Sequence, residues 1–115
     1  MAKNYVQEGK TIPYVASGAK ASGQVVVIGS IVGISMTDVA NTKTGQLAVE
    51  GVWDIPAATA EITAGAAVYW DADGNPVGGT AGTGAATATA TDNTLAGYAL
   101  ATKAAGGGTV RVKLK

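Results

Sequence analysis

The chain enters two of its apolar runs by the same route. Ala21-Ser22-Gly23-Gln24-Val25-Val26-Val27 opens one, and Thr63-Ala64-Gly65-Ala66-Ala67-Val68-Tyr69-Trp70 opens the other. Downstream of each lies an apolar residue, a small or apolar residue, Gly, then another apolar residue: Ile31-Val32-Gly33-Ile34 and Leu95-Ala96-Gly97-Tyr98. A small residue and Gly before a β-branched run form a turn feeding a strand, because Gly takes backbone angles that other residues avoid. The repetition indicates one supersecondary unit used twice in a compact β-domain.

What such a unit can bury is limited. Phe is absent, and much of the 47% hydrophobic content is Ala and Val, so the core is light. At 115 residues the chain fits a single domain. A domain near this size buries roughly two-thirds of its unfolded surface. A core of small residues makes association with further copies a reasonable source of stability.

Along the chain, residues 1–18 read as an N-terminal arm or a first edge strand, with Pro13 biasing Ile12 toward extended angles. Residues 19–115 form the β-domain. Gly23 to Met36 gives two strands around a Gly29-Ser30 turn. The unbroken run Val25 to Ile28 is expected to be buried on both faces. Gln46 to Pro56 alternates as one half-buried strand: Leu47, Val49, Gly51 and Trp53 point one way, Ala48, Glu50, Val52 and Asp54 the other. Ala57 to Glu61 has the composition for one helical turn. Ala66 to Asp71 is a strand, and Asp71-Ala72-Asp73-Gly74-Asn75-Pro76 is turn chemistry. The low-complexity stretch Gly78 to Ala90 reads as a loop with a strand at its Thr-rich end. Thr94 to Thr102 and Thr109 to Lys115 complete the strands. No segment sustains a helical period. The expectation is an all-β, small single-domain β-barrel or sandwich of short strands with an extended N-terminal arm.

The chain holds neither Cys nor His, which excludes thiol nucleophiles, disulfides and the usual zinc ligands. It also lacks the side chain that most often does acid–base work at neutral pH. Gly9-Lys10-Thr11 resembles the end of a phosphate-binding loop, but Asn4 stands where the first Gly is required. Gly82-Thr83-Gly84 lacks the third Gly of a dinucleotide fingerprint, Thr87 standing in its place. Asp71, Asp73 and Asn75 have the spacing of early calcium-loop ligands, yet Gly74 comes one place too soon and the distal position is Gly82. Glu50, Asp54 and Glu61 offer carboxylates without an aromatic-rich cleft to work in. The expectation is no enzyme, no metal and no cofactor.

Formal net charge is +0, so long-range attraction to nucleic acid or an anionic membrane is not expected. The apolar run Val25 to Ile28 is far too short to span a bilayer, and Lys3 is followed by no apolar signal region. Val110-Arg111-Val112-Lys113-Leu114-Lys115 alternates an apolar face with a basic one. Two uses fit: an edge strand whose charges discourage edge-to-edge pairing, or a contact with an acidic protein surface. Three phosphate contacts would give a salt-dependence slope of only about −2.7 on duplex DNA, which argues against a genome-binding role. Tyr69 and Trp70 are adjacent on one strand and must face opposite sides, so one ring belongs to solvent or a subunit interface.

Several segments resemble a known family in order and content. They are Tyr5-Val6-Gln7-Glu8-Gly9-Lys10-Thr11-Ile12, Leu47-Ala48-Val49-Glu50-Gly51-Val52-Trp53-Asp54-Ile55-Pro56, Ile62-Thr63-Ala64-Gly65-Ala66-Ala67-Val68-Tyr69-Trp70-Asp71, Asn93-Thr94-Leu95-Ala96-Gly97-Tyr98-Ala99 and Thr109-Val110-Arg111-Val112-Lys113-Leu114. Together they resemble the small capsid cement, or decoration, proteins of tailed phages. The resemblance implies a structural virion protein on the exterior of the capsid, made in the host bacterial cytoplasm. Its partner would be the phage major capsid protein, whose subunits it would bridge, and its oligomer there a homotrimer. Nucleic acid, membrane and cofactors are not implied. Candidate capsid or subunit contacts are Tyr5, Val6, Gln7, Tyr69, Trp70, Arg111 and Lys113. The alternative from another class is a small β-barrel module that binds a ligand or glycan.

Overall fold

The structure, a computed structural model, describes residues 10–114. Nine strands form two sheets, and no helix occurs among the described residues. Sheet 1 contains β1 (Thr11–Val15), β2 (Val25–Ile28), β3 (Ile31–Ser35) and β4 (Thr44–Ala48), in the order β1-β4-β3-β2. Sheet 2 contains β5 (Val52–Pro56), β6 (Ala67–Asp71), β7 (Ala85–Thr87), β8 (Thr94–Ala99) and β9 (Thr109–Leu114), in the order β5-β9-β8-β6-β7. Adjacent strands in both sheets pair antiparallel.

Without β7 the two orders are the same wiring, and the repeated phrase is its trace. Gly23 and Gly65 both adopt φ +85°, a conformation costly for residues with a Cβ. Each then donates its N–H across the hairpin, Gly23 to Ser35 O at 2.8 Å and Gly65 to Ala99 O at 2.7 Å. Further bonds recur in pairs. Lys20 N–H donates to Val39 O as Ile62 N–H does to Lys103 O. Ala16 N–H donates to Lys43 O as Ala57 N–H does to Gly108 O. Val49 N–H donates to Lys10 O as Leu114 N–H does to Gly51 O. The second pair of glycines, Gly33 and Gly97, serves close approach. A Cβ on Gly33 would meet Leu47 and the Ala48 carbonyl, and one on Gly97 would overlap the Lys113 carbonyl.

The core divides unevenly between the halves. Tyr14, Ala16, Val26, Val39 and Leu47 form a small cluster within sheet 1. A larger cluster fills sheet 2 with Ile55, Ala57, Ile62, Val68, Trp70, Ala86, Val110, Val112 and Leu114. It also takes in Val32, Ile34 and Ala48 from sheet 1, so the halves share one apolar seam where β3 lies against β8. The all-β expectation holds.

Several local expectations do not. The run Val25 to Ile28 is not buried on both faces: β2 is a sheet edge, and Val27 and Ile28 are exposed. Gln46 to Pro56 is not one strand. It breaks between β4 and β5 at Gly51, where φ is +101°, and the chain passes from one sheet to the other. Ala57 to Glu61 makes no helical turn; Ala57 is buried and bridges Ala86 in parallel. Strand β8 stops at Ala99 rather than Thr102. The stretch Gly78 to Ala90 does carry a strand, β7, but at Ala85–Thr87, and its two alanines are fully buried. Thr11–Val15 forms an edge strand, while residues 1–9 and Lys115 lie outside the described residues.

Candidate docking surface

Cross-strand partners share a face of a sheet, so the register identifies which side chains stand together. In sheet 2, Val52 pairs with Lys113, Lys113 with Tyr98, and Tyr98 with Ala67, a transverse row across four strands. The next row joins Asp54 to Arg111, and Leu100 N–H donates to the Arg111 carbonyl just past the end of β8. Val52 is 51% exposed, Tyr98 46% and Leu100 50%, so this face carries large apolar groups to solvent among charges.

The same row in sheet 1 is Thr11, Ala48, Ile34 and Val25. There Ile34 and Ala48 are only 2% and 3% exposed, within the shared cluster. One face of one wiring is therefore covered in the first half and open in the second.

Arg111 makes a two-point contact with Asp54: Nε donates to Oδ1 at 3.0 Å and Nη2 to Oδ2 at 3.1 Å. The Arg111 hydrogen bond holds the Asp54 carboxyl below its ordinary range, and Asp54 raises the guanidinium in return. Both side chains are at least half exposed, so the pair orients the guanidinium more than it stabilises the fold. The expectation that Arg111 and Lys113 guard an edge is overturned. β9 lies between β5 and β8, and both its sides are hydrogen-bonded. Their charges belong to a face. Lys115 falls outside the described residues, as do Tyr5, Val6 and Gln7.

Tyr69 and Trp70 do face opposite sides. Trp70 is 8% exposed and packs in the large cluster, with its ring against Gly84. Tyr69 is half-buried and lines a cleft of about 620 Å³ with Ser30, Ile31, Asn93 and Leu95, beside the β2–β3 turn. Ile28 and Ile31 at that turn are 39% and 45% exposed. The turn is an apolar surface that the sequence did not single out, and Tyr98, expected with Trp53, Tyr69 and Trp70 to anchor the packing of a light core, instead stands in solvent on the open face.

The remaining motifs build turns. Asp71 Oδ1 accepts from Asp73 N–H at 3.1 Å and Asn75 Oδ1 from Gly82 N–H at 2.8 Å, so both oxygens fold the β6–β7 connection. No group of three or more potential metal-ligating side chains occurs among the described residues. The rings are dispersed: Tyr14 and Trp70 are interior, and the Trp53 Nε1–H donates to Glu50 O at 3.0 Å. Lys103 was missed altogether. It is 5% exposed, and its Nζ donates to Ala104 O, Gly107 O and Thr59 O at 3.1, 3.2 and 3.4 Å.

The model of one family, described as phage cement protein, matches residues 6–114. The chain belongs to that family, a family of structural proteins of the phage virion that associate with the capsid. No curated protein and no solved structure matches it.

Proposed function

We propose that the protein binds the outer surface of a phage head and stabilises it by bridging capsid subunits, with the open face of sheet 2 as a docking surface. The observation that carries this reading is the row Val52, Lys113 and Tyr98, uncovered where its counterpart in sheet 1 is packed. An exposed aromatic flanked by aliphatic and basic groups has the make-up of an interface centre with a polar rim. Lys113 and the oriented Arg111 suit an acidic protein surface. The mechanism is passive: each copy buries surface across a subunit boundary, and many copies resist internal pressure together through avidity. A trimer would match threefold and quasi-threefold positions of a head.

The test is mixing purified protein with undecorated heads of the source phage. Saturable attachment is expected, weakened by about 2 kcal/mol per contact in Tyr98→Ala, the order of an aromatic hot spot. Lys113→Glu should weaken it further as salt is lowered, because like charges are then less screened. Absence of saturable attachment, or a Tyr98→Ala variant that attaches as the parent does, would remove this reading.

A further inference from the structure

Asp54 and Arg111 stand directly opposite each other on β5 and β9, and their contact leaves one edge of the guanidinium unused. A guanidinium has five N–H donors in a flat fork, and a carboxylate takes two of them along one edge. Asp54 takes the edge formed by Nε and Nη2. The edge formed by Nη1 and the second N–H of Nη2 has no acceptor among the described residues, and the Arg111 side chain is 58% exposed. An exposed pair of this kind does little for the fold. What it does is remove freedom. An Arg side chain samples many rotamers, and two bonds to Asp54 select one before anything binds. The base is firm as well, because β9 is hydrogen-bonded on both sides, to β5 and to β8.

The surroundings specify what the free edge can take. Val52, Tyr98 and Leu100 are each about half exposed around the pair. Lys113 lies two residues along β9, so it shares the face with Arg111. The charges that β5, β8 and β9 place on this face are therefore Asp54, Arg111 and Lys113: two positive against one negative. Covering a charge without a counter-charge is costly. A partner that covers this face with its apolar groups has to bring one negative group with it. The free edge of Arg111 is where that group gains two aligned, charge-assisted bonds.

We propose that the docking partner presents one Asp or Glu side chain to the free edge of Arg111, and that Asp54 is the positioning residue that holds the guanidinium ready for it. The inference rests on the docking face of the proposed function and adds the chemistry of the partner. Arg111 then joins two carboxylates, one on each edge, and Lys113 balances the second. A carboxylate is favoured over a nucleic-acid phosphate because half-exposed Val52, Tyr98 and Leu100 call for apolar groups on the same partner, which a protein surface supplies. Asp54 acts through Arg111, and this fixes the sign of its effect. By charge alone, removing Asp54 would make the face more positive and tighten docking on an acidic surface. By positioning, its removal weakens docking, because the partner must then order a free Arg111 itself.

The test is equilibrium attachment of the full-length protein to undecorated heads of the source phage at one ionic strength. The parent is compared with Asp54→Asn, Arg111→Gln and the double variant, and far-UV circular dichroism checks that each folds. Asp54→Asn is expected to attach about tenfold more weakly, and Arg111→Gln at least as weakly, the order of one hydrogen bond to a charged group. In the Arg111→Gln background, Asp54→Asn should weaken attachment no further. Asp54→Glu, which keeps a carboxylate, should recover part of the loss. Attachment of Asp54→Asn as tight as the parent's, or tighter, would overturn the positioning role. So would an equal loss with and without Arg111, since Asp54 would then meet the partner directly. Retardation of duplex DNA by the parent, abolished in Arg111→Gln, would assign the free edge to phosphate and overturn the choice of partner. A parent that does not attach to heads removes the docking face itself and the inference with it, a failure visible before any variant is compared.

Discussion

The first and second halves of the molecule follow the same path, and they differ in what each leaves uncovered. Sheet 1 buries both its small internal cluster and its Ile34–Ala48 row, but its outer strands border a cleft that Trp70, Ala72 and Thr83 of the second half also line. Sheet 2 closes the gap between its own outer strands with β7 and keeps its Tyr98–Lys113 row in solvent. A single strand insertion accounts for one difference, and the packing of β3 against β8 accounts for the other. Duplication thus produces two surfaces of different kinds from one unit. One offers side chains on a face, and the other offers backbone groups at an edge.

The largest effect is expected at the position where the halves diverge most. Trp70 stands two residues beyond Val68, the partner of Gly97, just as Ile28 stands two beyond Val26, the partner of Gly33. Trp70 is interior and packs on Gly84 before β7, whereas Ile28 is 39% exposed. Trp70→Ala should cost about 3–5 kcal/mol in denaturant unfolding, and Ile28→Ala within about 0.5 kcal/mol. Equal costs would mean that β7 does not set sheet 2 apart.

A middling effect is expected at Lys103, which occupies the bridge position that Val39 holds in sheet 1. Lys103→Met keeps the aliphatic stem but leaves the carbonyls of Ala104, Gly107 and Thr59 without their ammonium donor. The expected loss is about 1–3 kcal/mol, read from the unfolding midpoint. A neutral Lys103→Met would make the two bridge positions equivalent and the buried ammonium dispensable.

Much of this was legible from residues alone. Gly23 and Gly65 before β-branched runs announced a unit used twice, because their left-handed backbone is needed at the same turn. The clash-free approach at Gly33 and Gly97 was visible as a recurring Gly in the return strand. The boundary at Gly51 was not, since the alternation of Leu47, Val49, Gly51 and Trp53 runs unbroken through a change of sheet. Nor was the central place of β9: an apolar–basic alternation looks the same on an edge strand and on an interior strand with one wet face. β7 was placed only loosely, because Ala and Thr in low-complexity sequence carry no period. Lys103 gave no local signal, as its three acceptors come together only in the folded loops. Of the candidate contacts, Tyr69, Arg111 and Lys113 reach the surface, Trp70 does not, and the Tyr98 row emerged from register.

The smallest effect belongs to the Asp54–Arg111 pair on the open face. Arg111 depresses the Asp54 carboxyl below the ordinary aspartate value of 3.8. The contribution is therefore present above that value and is lost as pH falls through the lower folded-state value. Asp54→Asn should lower the thermal midpoint slightly at neutral pH, and the difference should vanish in acid. A difference that grows in acid would contradict the pairing.

The contrast between a closed and an open gap is tested most directly by residue-resolved hydrogen exchange of the full-length protein at several concentrations. Tyr69 and Val27 are the matching amides, one facing β7 and the other facing the cleft. Protection at Tyr69 should be independent of concentration, because β7 belongs to the same chain. Protection at Val27, on an edge that no strand among the described residues pairs with, should be lower than at Tyr69 at every concentration. Equal, concentration-independent protection at both amides would show that each chain closes both gaps itself, and would contradict the account.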